Sequence, residues 1–232
     1  ALIQNILSIP IKWCYLKFKF GHKFIGREKY KECKDTGFFI YSNHTQAFSD
    51  TFTTSMSVLP KRNYLIVHPA NISVKPFGGL VELLGAIPIP GNVTATKKFM
   101  DVIEDRVVNK KQSITIYPEA HIWPYYVGIR NFKAVSFTYP VKLNKPVFCV
   151  TNTYQKENNS SKVKMVSYID GPFYPDMSLN KKDAQNKLRD IVYEKMVERA
   201  KNSNVEVVKY IKNIDNLTNM NDNSNVEKSE RN

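Results

Sequence analysis

The sequence predicts an α/β fold: a single domain in which helices flank a largely parallel or mixed sheet, with an N-terminal amphipathic helical segment in front of it. Short apolar segments with the composition of buried strands alternate along the chain with amphipathic helical segments, a pattern typical of α/β domains. The 232 residues, of which 42% are hydrophobic, are enough to enclose one large core. No internal repeat is visible in the sequence.

Six segments carry the strand pattern. GFFIYS (37–42) is apolar and aromatic, follows the turn sequence KDTG, and predicts a buried strand. NYLIVH (63–68) has the same character, whereas the prolines of AIPIP (86–90) predict an edge strand or an extended turn. The remaining strands are predicted at 113–117, 146–152 and 162–173. The last of these alternates only in part between apolar and polar residues, which indicates a more exposed strand.

Helical periodicity appears between and after these strands. Residues 94–110 repeat apolar side chains every four positions, at Phe99, Ile103 and Val107, as an amphipathic helix does. Residues 179–201 also gather their apolar side chains on one face and predict a second long helix. Shorter helices are expected at 76–85 and in the stretch that ends near Ile214.

The chain divides into three regions. Residues 1–20 are apolar and aromatic, but polar residues and Pro10 interrupt them, so they fall short of the roughly 20 mostly apolar residues of a spanning helix. Two interpretations stay open: a helix packed on its own domain, or an interfacial helix whose aromatic side chains lie among lipid headgroups beside lysines. Residues 21–214 are expected to form the α/β domain. The tail, 215–232, has almost no apolar residues and is expected to be disordered.

The charge of the chain indicates an anionic partner. The formal net charge is +13, and much of it is concentrated: residues 1–36 hold eight Lys and Arg against three acids, and residues 130–164 hold seven against one. An anionic membrane surface or a phosphate-bearing ligand would bind such a surface. No recognisable nucleic-acid-binding motif accompanies the charge, so nucleic acid is not expected as a partner.

The cysteines favour a reducing compartment. Cys14, Cys33 and Cys149 show no paired spacing and are odd in number, so a disulfide framework is not expected. The first 20 residues match neither a signal peptide nor a spanning segment. Together with the basic surface, these features predict a protein bound peripherally or monotopically at the cytoplasmic side of a membrane.

Polar side chains follow two of the predicted strands. His44, in SNHTQAFSD, lies directly after the strand at 37–42, and PEAH (118–121) follows the strand at 113–117. Because sites in open α/β sheets collect at the carboxyl ends of strands, these groups are expected to meet in one cleft. Histidine suits a general base near neutral pH, and the carboxylate of Asp50 would orient its ring. The alternative is a polar loop in which Asp50 caps the next helix.

Four sequence blocks in this order resemble the glycerolipid acyltransferase family, whose members acylate glycerol 3-phosphate and lysophosphatidic acid. The blocks are NHTQAFSD (43–50), GAIPIP (85–90), IYPEAH (116–121) and KPVFCVTN (145–152), and GREKY (26–30) resembles the segment that precedes the family's first strand. The first and third blocks are specific in combination, and the resemblance covers about residues 20–200.

The resemblance implies roles for individual residues. His44 matches the general base that deprotonates the acceptor hydroxyl, and Asp50 matches the carboxylate that orients its imidazole. Glu119 and Pro118 match the third block, which is implied to shape the acceptor site, and His121 lies beside them. The acyl donor is implied to be a thioester on coenzyme A or an acyl carrier protein, and the acceptor a lysophospholipid or a glycerol phosphate. No further cofactor is implied.

The chain departs from the family pattern at three places. Five residues rather than four separate His44 from Asp50, and Ser49 stands at the usual aspartate position. Ala120 replaces the usual glycine of the third block. GAIPIPGN (85–92) lacks the arginine that usually binds the acceptor phosphate. The basic residues assigned to substrate binding instead are Lys97, Lys98, Arg130 and Lys133.

Two other functions stay open at this stage. A metal-dependent hydrolase would use a mixture of side chains that suits zinc, although no HExxH motif or paired-cysteine spacing supports it. Its ligands would be His44, Asp50, Glu119 and His121. A non-catalytic lipid-binding module would account for the basic surface and the aromatic N-terminal segment without any catalytic site. The acyltransferase interpretation requires no metal, and none is assigned.

Overall fold

A mixed sheet forms the centre of the computed structural model, which describes residues 2–47, 49–71, 85–158 and 160–211. Within these residues the sheet has seven strands: β1 (Lys23–Ile25), β2 (Phe38–Ser42), β3 (Asn63–Val67), β4 (Ala86–Pro88), β5 (Ser113–Ile116), β6 (Val147–Gln155) and β7 (Lys164–Phe173). Their spatial order is β1-β7-β6-β2-β5-β3-β4. All neighbouring strands are parallel except β6 and β7, which are antiparallel.

Helices connect the parallel strands and cover both faces of the sheet. They are α1 (Leu2–Phe20), α2 (Ser49–Ser57), α3 (Val93–Glu104), α4 (Thr138–Leu143) and α5 (Lys181–Ala200). A π-helical turn, Asp105–Asn109, continues α3, and 3-10 turns lie at Arg27–Cys33, Pro69–Asn71 and Ala134–Phe137. Parallel neighbours need such crossovers, and α2, α3 and α4 lie in those that end at β3, β5 and β6.

The central strand β2 is buried on both faces, which explains its continuous apolar sequence. Tyr41 faces the layer of α3 and α5, and its ring stacks on Phe137 with 4.0 Å between centroids. Phe38 faces the opposite layer, where Tyr30 stacks on it at 5.2 Å. Full burial of a large apolar side chain stabilises a fold by roughly 1.5–3 kcal/mol, so β2 holds both layers to the sheet.

The predicted fold class is confirmed, and the six predicted strands are present with ends shifted by a few residues. The AIPIP segment is β4, at the edge of the described sheet. The helices predicted at 94–110 and 179–201 are α3 with its π-helical turn and α5. The helix expected at 76–85 and the tail at 215–232 lie outside the described residues.

One predicted helix is wrong where the structure describes it. Residues 203–211 form turns and irregular structure instead of the helix expected to end near Ile214. The cause is an attachment to the end of β6: the backbone N–H of Asn204 donates to the carbonyl of Tyr154 at 3.1 Å, and its side chain binds the backbone of Lys156. These bonds divert the chain from the axis of α5.

The N-terminal helix packs along α2 by its C-terminal half. Leu16 and Phe20 are buried in a cluster with Met56 of α2 and Tyr154 of β6. Outside this contact α1 leaves large apolar side chains exposed, namely Ile11, Trp13 and Phe18. Among the described residues, no helix combines the length and apolar character that crossing a membrane requires.

Candidate active site

His44 and Asp50 form a hydrogen-bonded pair at the carboxyl end of β2. His44 Nδ1 lies 2.9 Å from Asp50 Oδ2, and Asp50 is completely buried in the first turn of α2. The backbone N–H groups of Thr45 and Gln46 donate to the same carboxylate oxygen, both at 2.7 Å. The carboxylate therefore folds the loop before α2 into a tight turn, which absorbs the additional residue between His44 and Asp50. It binds the preceding loop rather than capping its own helix.

Four donors surround the carboxylate of Asp50. Besides the three on Oδ2, Asn152 Nδ2 donates to Oδ1 at 3.1 Å. Burial raises the pKa of Asp50, and the hydrogen bonds from His44, Gln46 and Thr45 oppose this rise. Each donor therefore contributes to keeping Asp50 ionised. An ionised carboxylate can accept a hydrogen bond from Nδ1–H of His44.

The ring of His44 is held on its face as well as at its edge. It stacks on Tyr117 with 4.3 Å between ring centroids and 16° between planes. Tyr117 is placed by β5 and lies 3.5 Å, hydroxyl to hydroxyl, from Thr54 of α2. In the described part of the chain, no group hydrogen-bonds to His44 Nε2, and the side chain is 15% exposed. With Nδ1–H directed at Asp50, Nε2 carries the lone pair and is available to an entering hydroxyl.

Glu119 joins the third sequence block to the first. Its Oε2 accepts the backbone N–H of His44 at 3.1 Å and Arg130 Nη2 at 3.0 Å, and its Oε1 accepts the backbone N–H of Arg130 at 2.8 Å. Arg130 Nη2 also donates to the carbonyl of His121, and the guanidinium lies over the ring of Trp123. Glu119 thus fixes the backbone at His44.

The loop that follows Glu119 lies against the segment that carries His44. The backbone N–H of Trp123 donates to the carbonyl of His44 at 3.0 Å, and that of Tyr125 donates to the carbonyl of Thr45 at 3.1 Å. The loop turns at Ala120, whose φ of 65° is the left-handed conformation that glycine adopts most readily. This explains why glycine is usual at that position of the third block.

The chain matches known proteins over this same region. The family model described as Acyltransferase matches residues 22–152, which is more than half of the chain and contains both His44 and Glu119. The chain belongs to the acyltransferase family.

A solved structure agrees with this assignment at the level of the fold. The 1-acyl-sn-glycerophosphate (LPA) acyltransferase PlsC from Thermotoga maritima is similar, with a TM-score of 0.56 at 17% sequence identity, over 91% of this chain and 88% of that chain. A comparison with curated proteins gave no match. The resemblance to the glycerolipid acyltransferases is therefore confirmed at the level of family and fold, and this chain is an acyltransferase.

The candidate site brings together some of the predicted residues and leaves others apart. His44, Asp50, Glu119 and Arg130 are linked by hydrogen bonds, and Pro118 lies between Tyr117 and Glu119. His121 is exposed, and its backbone rather than its side chain joins the network: its N–H donates to the carbonyl of Glu119 at 2.8 Å, and its carbonyl accepts from Arg130 Nη2. Among the described residues, no hydrogen bond or ion pair links Lys97, Lys98 or Lys133 to this network. All three are exposed: the first two on α3, and Lys133 ahead of the 3-10 turn at Ala134–Phe137.

Two asparagines of the candidate site are not predicted from the sequence. Asn43 Nδ2 donates to the carbonyl of Asn152 at 3.0 Å, and the N–H of Asn152 donates to Asn43 Oδ1 at 2.8 Å. This reciprocal pair joins β2 to β6 directly ahead of His44, while the side chain of Asn152 continues to Asp50. The sequence feature that could have indicated Asn152 is its position at the carboxyl end of the strand KPVFCVTN, which pairs with β2.

Three backbone N–H groups of the turn after β2 are already bonded: that of His44 donates to Glu119, and those of Thr45 and Gln46 donate to Asp50. They therefore support the His44–Asp50 pair. No group of three or more His, Cys, Asp or Glu side chains in the described ranges is placed to hold a metal ion.

Proposed function

We propose that this acyltransferase moves a fatty acyl group from an acyl thioester to a hydroxyl of a lysophospholipid or glycerol-phosphate acceptor, with His44 as general base. The observation that carries the proposal is the pair itself. His44 Nδ1 is fixed 2.9 Å from a fully buried carboxylate, while Nε2 has no partner in the described part of the chain. A general base needs this combination of an oriented ring and an available lone pair.

The reaction follows from this geometry. Nε2 of His44 accepts the proton of the acceptor hydroxyl while the hydroxyl oxygen attacks the thioester carbonyl carbon. Asp50 stabilises the imidazolium that forms and keeps its Nδ1–H directed away from the substrate. When the tetrahedral intermediate collapses, the C–S bond breaks, and the proton on His44 passes to the leaving sulfur. The products are an ester and a free thiol.

The proposed substrates agree with the charge of the chain. Coenzyme A, an acyl carrier protein and a glycerol phosphate are all anionic, and the net charge of +13 favours their binding. Arg130 already pairs with Glu119, so its charge serves the loop next to His44. The exposed cations Lys97, Lys98 and Lys133 stay the proposed contacts for the phosphates of donor or acceptor. The neighbour PlsC is named as a 1-acyl-sn-glycerophosphate acyltransferase, which supports the same acceptor class.

We further infer that the protein binds anionic bilayers peripherally or monotopically through α1, at the cytoplasmic side. The exposed face of this helix combines apolar side chains with lysines, and Lys17 Nζ lies 4.4 Å from the centroid of the Trp13 ring. Aromatic rings with cations beside them are typical of helices at the headgroup region. An acceptor lipid in the bilayer would then reach the site without leaving the membrane.

The reaction is tested by incubating the purified protein with acyl-CoA and acyl carrier protein thioesters and a panel of lysophospholipids and glycerol 3-phosphate. Thiol release is followed together with the mass of the lipid product. We expect thiol release that requires both donor and acceptor, with an acylated acceptor in equal amount. Thiol release with free fatty acid and no acylated acceptor would indicate a hydrolase instead. Retention of activity in a chelator would agree with a histidine base that needs no metal.

A further inference from the structure

A chain of hydrogen bonds joins the catalytic pair to a second histidine on the far side of β6. Asn152 Nδ2 donates to Asp50 Oδ1 at 3.1 Å, and Ser167 Oγ donates to Asn152 Oδ1 at 2.5 Å. His22 Nε2 lies 2.8 Å from Ser167 Oγ. Asn152 and Ser167 are buried cross-strand neighbours of β6 and β7, so the sheet itself holds this part of the chain.

All the donors in this chain point towards Asp50. The hydroxyl of Ser167 has one proton, which it gives to Asn152 Oδ1, so its oxygen must accept from His22 Nε2–H. With Ser167 on its oxygen, the amide of Asn152 can present only its NH2 group to Asp50. Burial lowers the pKa of His22 to about 4, so this ring is neutral at the pH where His44 would act as a base.

We propose that Asn152 is a positioning residue whose amide holds the ionised carboxylate of Asp50 in line with His44. Ser167 and His22 fix the orientation of that amide. The inference rests on the proposed function in one respect, namely that His44 is the base whose ring Asp50 orients. It assigns a positioning role to Asn152, Ser167 and His22, which belong neither to the sequence motif nor to the pair of His44 and Asp50.

The chemistry explains why an amide is needed here. Asp50 is completely buried, and an ionised carboxylate without water needs a hydrogen bond on each oxygen. Oδ2 has three donors, whereas Asn152 is the donor that the structure places on Oδ1. The other titratable groups that face Asp50 are the hydroxyls of Tyr117 and Tyr154. Burial raises the pKa of both tyrosines, so neither contributes a charge.

The decisive variant is Asn152→Ala, and the matched control is Thr153→Val. Thr153 is the next residue of β6, is equally buried, and donates its hydroxyl to the carbonyl of Val166 at 2.9 Å without contacting Asp50. Each variant removes two side-chain hydrogen bonds of a buried β6 residue, so both are expected to lower stability similarly. Only Asn152→Ala should alter the titration of the catalytic pair, because it leaves Asp50 Oδ1 without a donor and so increases the affinity of the pair for a proton.

The titration is measured by NMR on the His44 ring in the ligand-free protein, with resonances assigned from the His44→Ala spectrum. We expect the midpoint to move to higher pH by roughly one unit in Asn152→Ala and to stay in place in Thr153→Val. In steady-state assays we expect kcat to fall roughly 10- to 100-fold in Asn152→Ala while KM changes little, as for an interaction that matters in the transition state. The acid limb of kcat/KM should move with the NMR midpoint.

The outer links give a second set of variants that does not depend on the folding of Asn152→Ala. His22→Gln can keep an N–H near the position of Nε2, whereas His22→Leu removes it. We expect His22→Leu and Ser167→Ala to shift the midpoint in the same direction as Asn152→Ala but less, and His22→Gln to restore it. An unchanged midpoint in Asn152→Ala, Ser167→Ala and His22→Leu would overturn the inference. A shifted midpoint in a protein that transfers no acyl group would leave the inference standing and overturn only the proposed reaction.

Discussion

Glu119 accepts the backbone N–H of His44 at 3.1 Å through the same oxygen that binds the guanidinium of Arg130. The glutamate of the third block is thus a buried anchor for the loop that carries His44, since its side chain is 1% exposed and receives hydrogen bonds from donors. Any contact it makes with the acceptor would have to be added to these bonds. Independently of any contact with the acceptor, the glutamate of the third block therefore has a structural role in the folded protein.

Glu119→Gln tests the anchor. The amide would replace one of the two oxygens that now accept the backbone N–H groups of His44 and Arg130 with an NH2 group. It would also leave the Arg130 guanidinium without the negative charge of Glu119. We expect a loss of about 3–5 kcal/mol in the free energy of unfolding, the range for breaking a buried ion pair. The measurement is urea denaturation, and the control is Glu157→Gln. Glu157 pairs with Lys164 at the surface, where solvent screens the pair, so its loss should change stability far less. Equal effects of both variants would contradict the anchoring role.

The proposed catalytic role of His44 and Asp50 makes a second prediction. His44→Ala should lower turnover by roughly 100- to 10,000-fold, the usual contribution of a general base, with a nearly unchanged melting temperature. Asp50→Asn should also be severe, because the amide favours the wrong tautomer of His44. It should in addition destabilise the fold, because an amide offers one acceptor oxygen where the carboxylate now accepts donors on both oxygens.

Ser49→Ala is the control for the pair. Ser49 stands at the usual aspartate position and is buried, but its hydroxyl has no hydrogen-bond partner in the described part of the chain. We expect activity close to that of the unmodified protein, measured by thiol release. Full activity in a folded His44→Ala protein would exclude His44 as the base.

The turn at Ala120 makes a third prediction, about stability. A left-handed conformation costs an L-residue about 1–2 kcal/mol, and glycine loses roughly 0.4–1 kcal/mol of that advantage through the unfolded chain. With φ at 65°, Ala120→Gly should therefore stabilise the protein by up to about 1 kcal/mol in thermal or urea denaturation. Ala95→Gly, in the first turn of α3, should destabilise it instead. Destabilisation by both variants would show that the turn is not strained by alanine.

Sequence patterns predicted those parts of the fold that depend on residues close together in the sequence. Strand β2 is buried on both faces and reads as an apolar run, whereas β1 has three residues with no buried position and carries no pattern of its own. The turns and short helix between 134 and 143 were likewise missed, because a proline and aromatic residues in FTYPVKL obscure helical periodicity.

The same limit applies to the site. His44 and Asp50 belong to one short block, so their spacing and neighbours suggested a pair. The role of Asn152 depends on the pairing of β2 with β6 and of β6 with β7, which brings together residues 43, 152 and 167. The role of Glu119 was expected at the acceptor, but its bonds to backbone N–H groups depend on how the following loop folds back, and no spacing in the sequence records that.

The exposed face of α1 makes a fourth prediction, on membrane binding. In sedimentation with vesicles of phosphatidylcholine and phosphatidylglycerol, binding should exceed that to phosphatidylcholine alone and weaken as salt rises, because charge is screened within about 10 Å at 0.1 M salt. Phe18→Ser should weaken it. Val135→Ser is the matched control, since Val135 is 72% exposed against 73% for Phe18 but lies in the 3-10 turn ahead of α4. Equal binding to both vesicle types would exclude the electrostatic part.

The last prediction concerns the segment after α5, which reaches the loop beside His44. Tyr210 stacks on Trp123 with 4.9 Å between ring centroids, and its hydroxyl donates to the carbonyl of Pro124 at 2.9 Å. The backbone N–H of Trp123 in turn donates to the carbonyl of His44. The segment therefore holds the loop against His44 from outside, so removing Tyr210 should loosen the loop and change the position of His44.

We expect Tyr210→Ala to lower stability by roughly 1–3 kcal/mol, from the lost ring contacts and hydrogen bond. Turnover should fall several-fold, with faster hydrogen exchange at the N–H groups of Trp123 and Tyr125. Tyr210→Phe keeps the stacking and should recover most of the turnover. Tyr174→Ala is the control, because Tyr174 is also a peripheral tyrosine but its hydroxyl contacts Cys33 rather than the loop. If Tyr174→Ala and Tyr210→Ala alter turnover and exchange alike, the effect is general destabilisation; if only Tyr210→Ala does, the segment after α5 is part of what holds His44 in place.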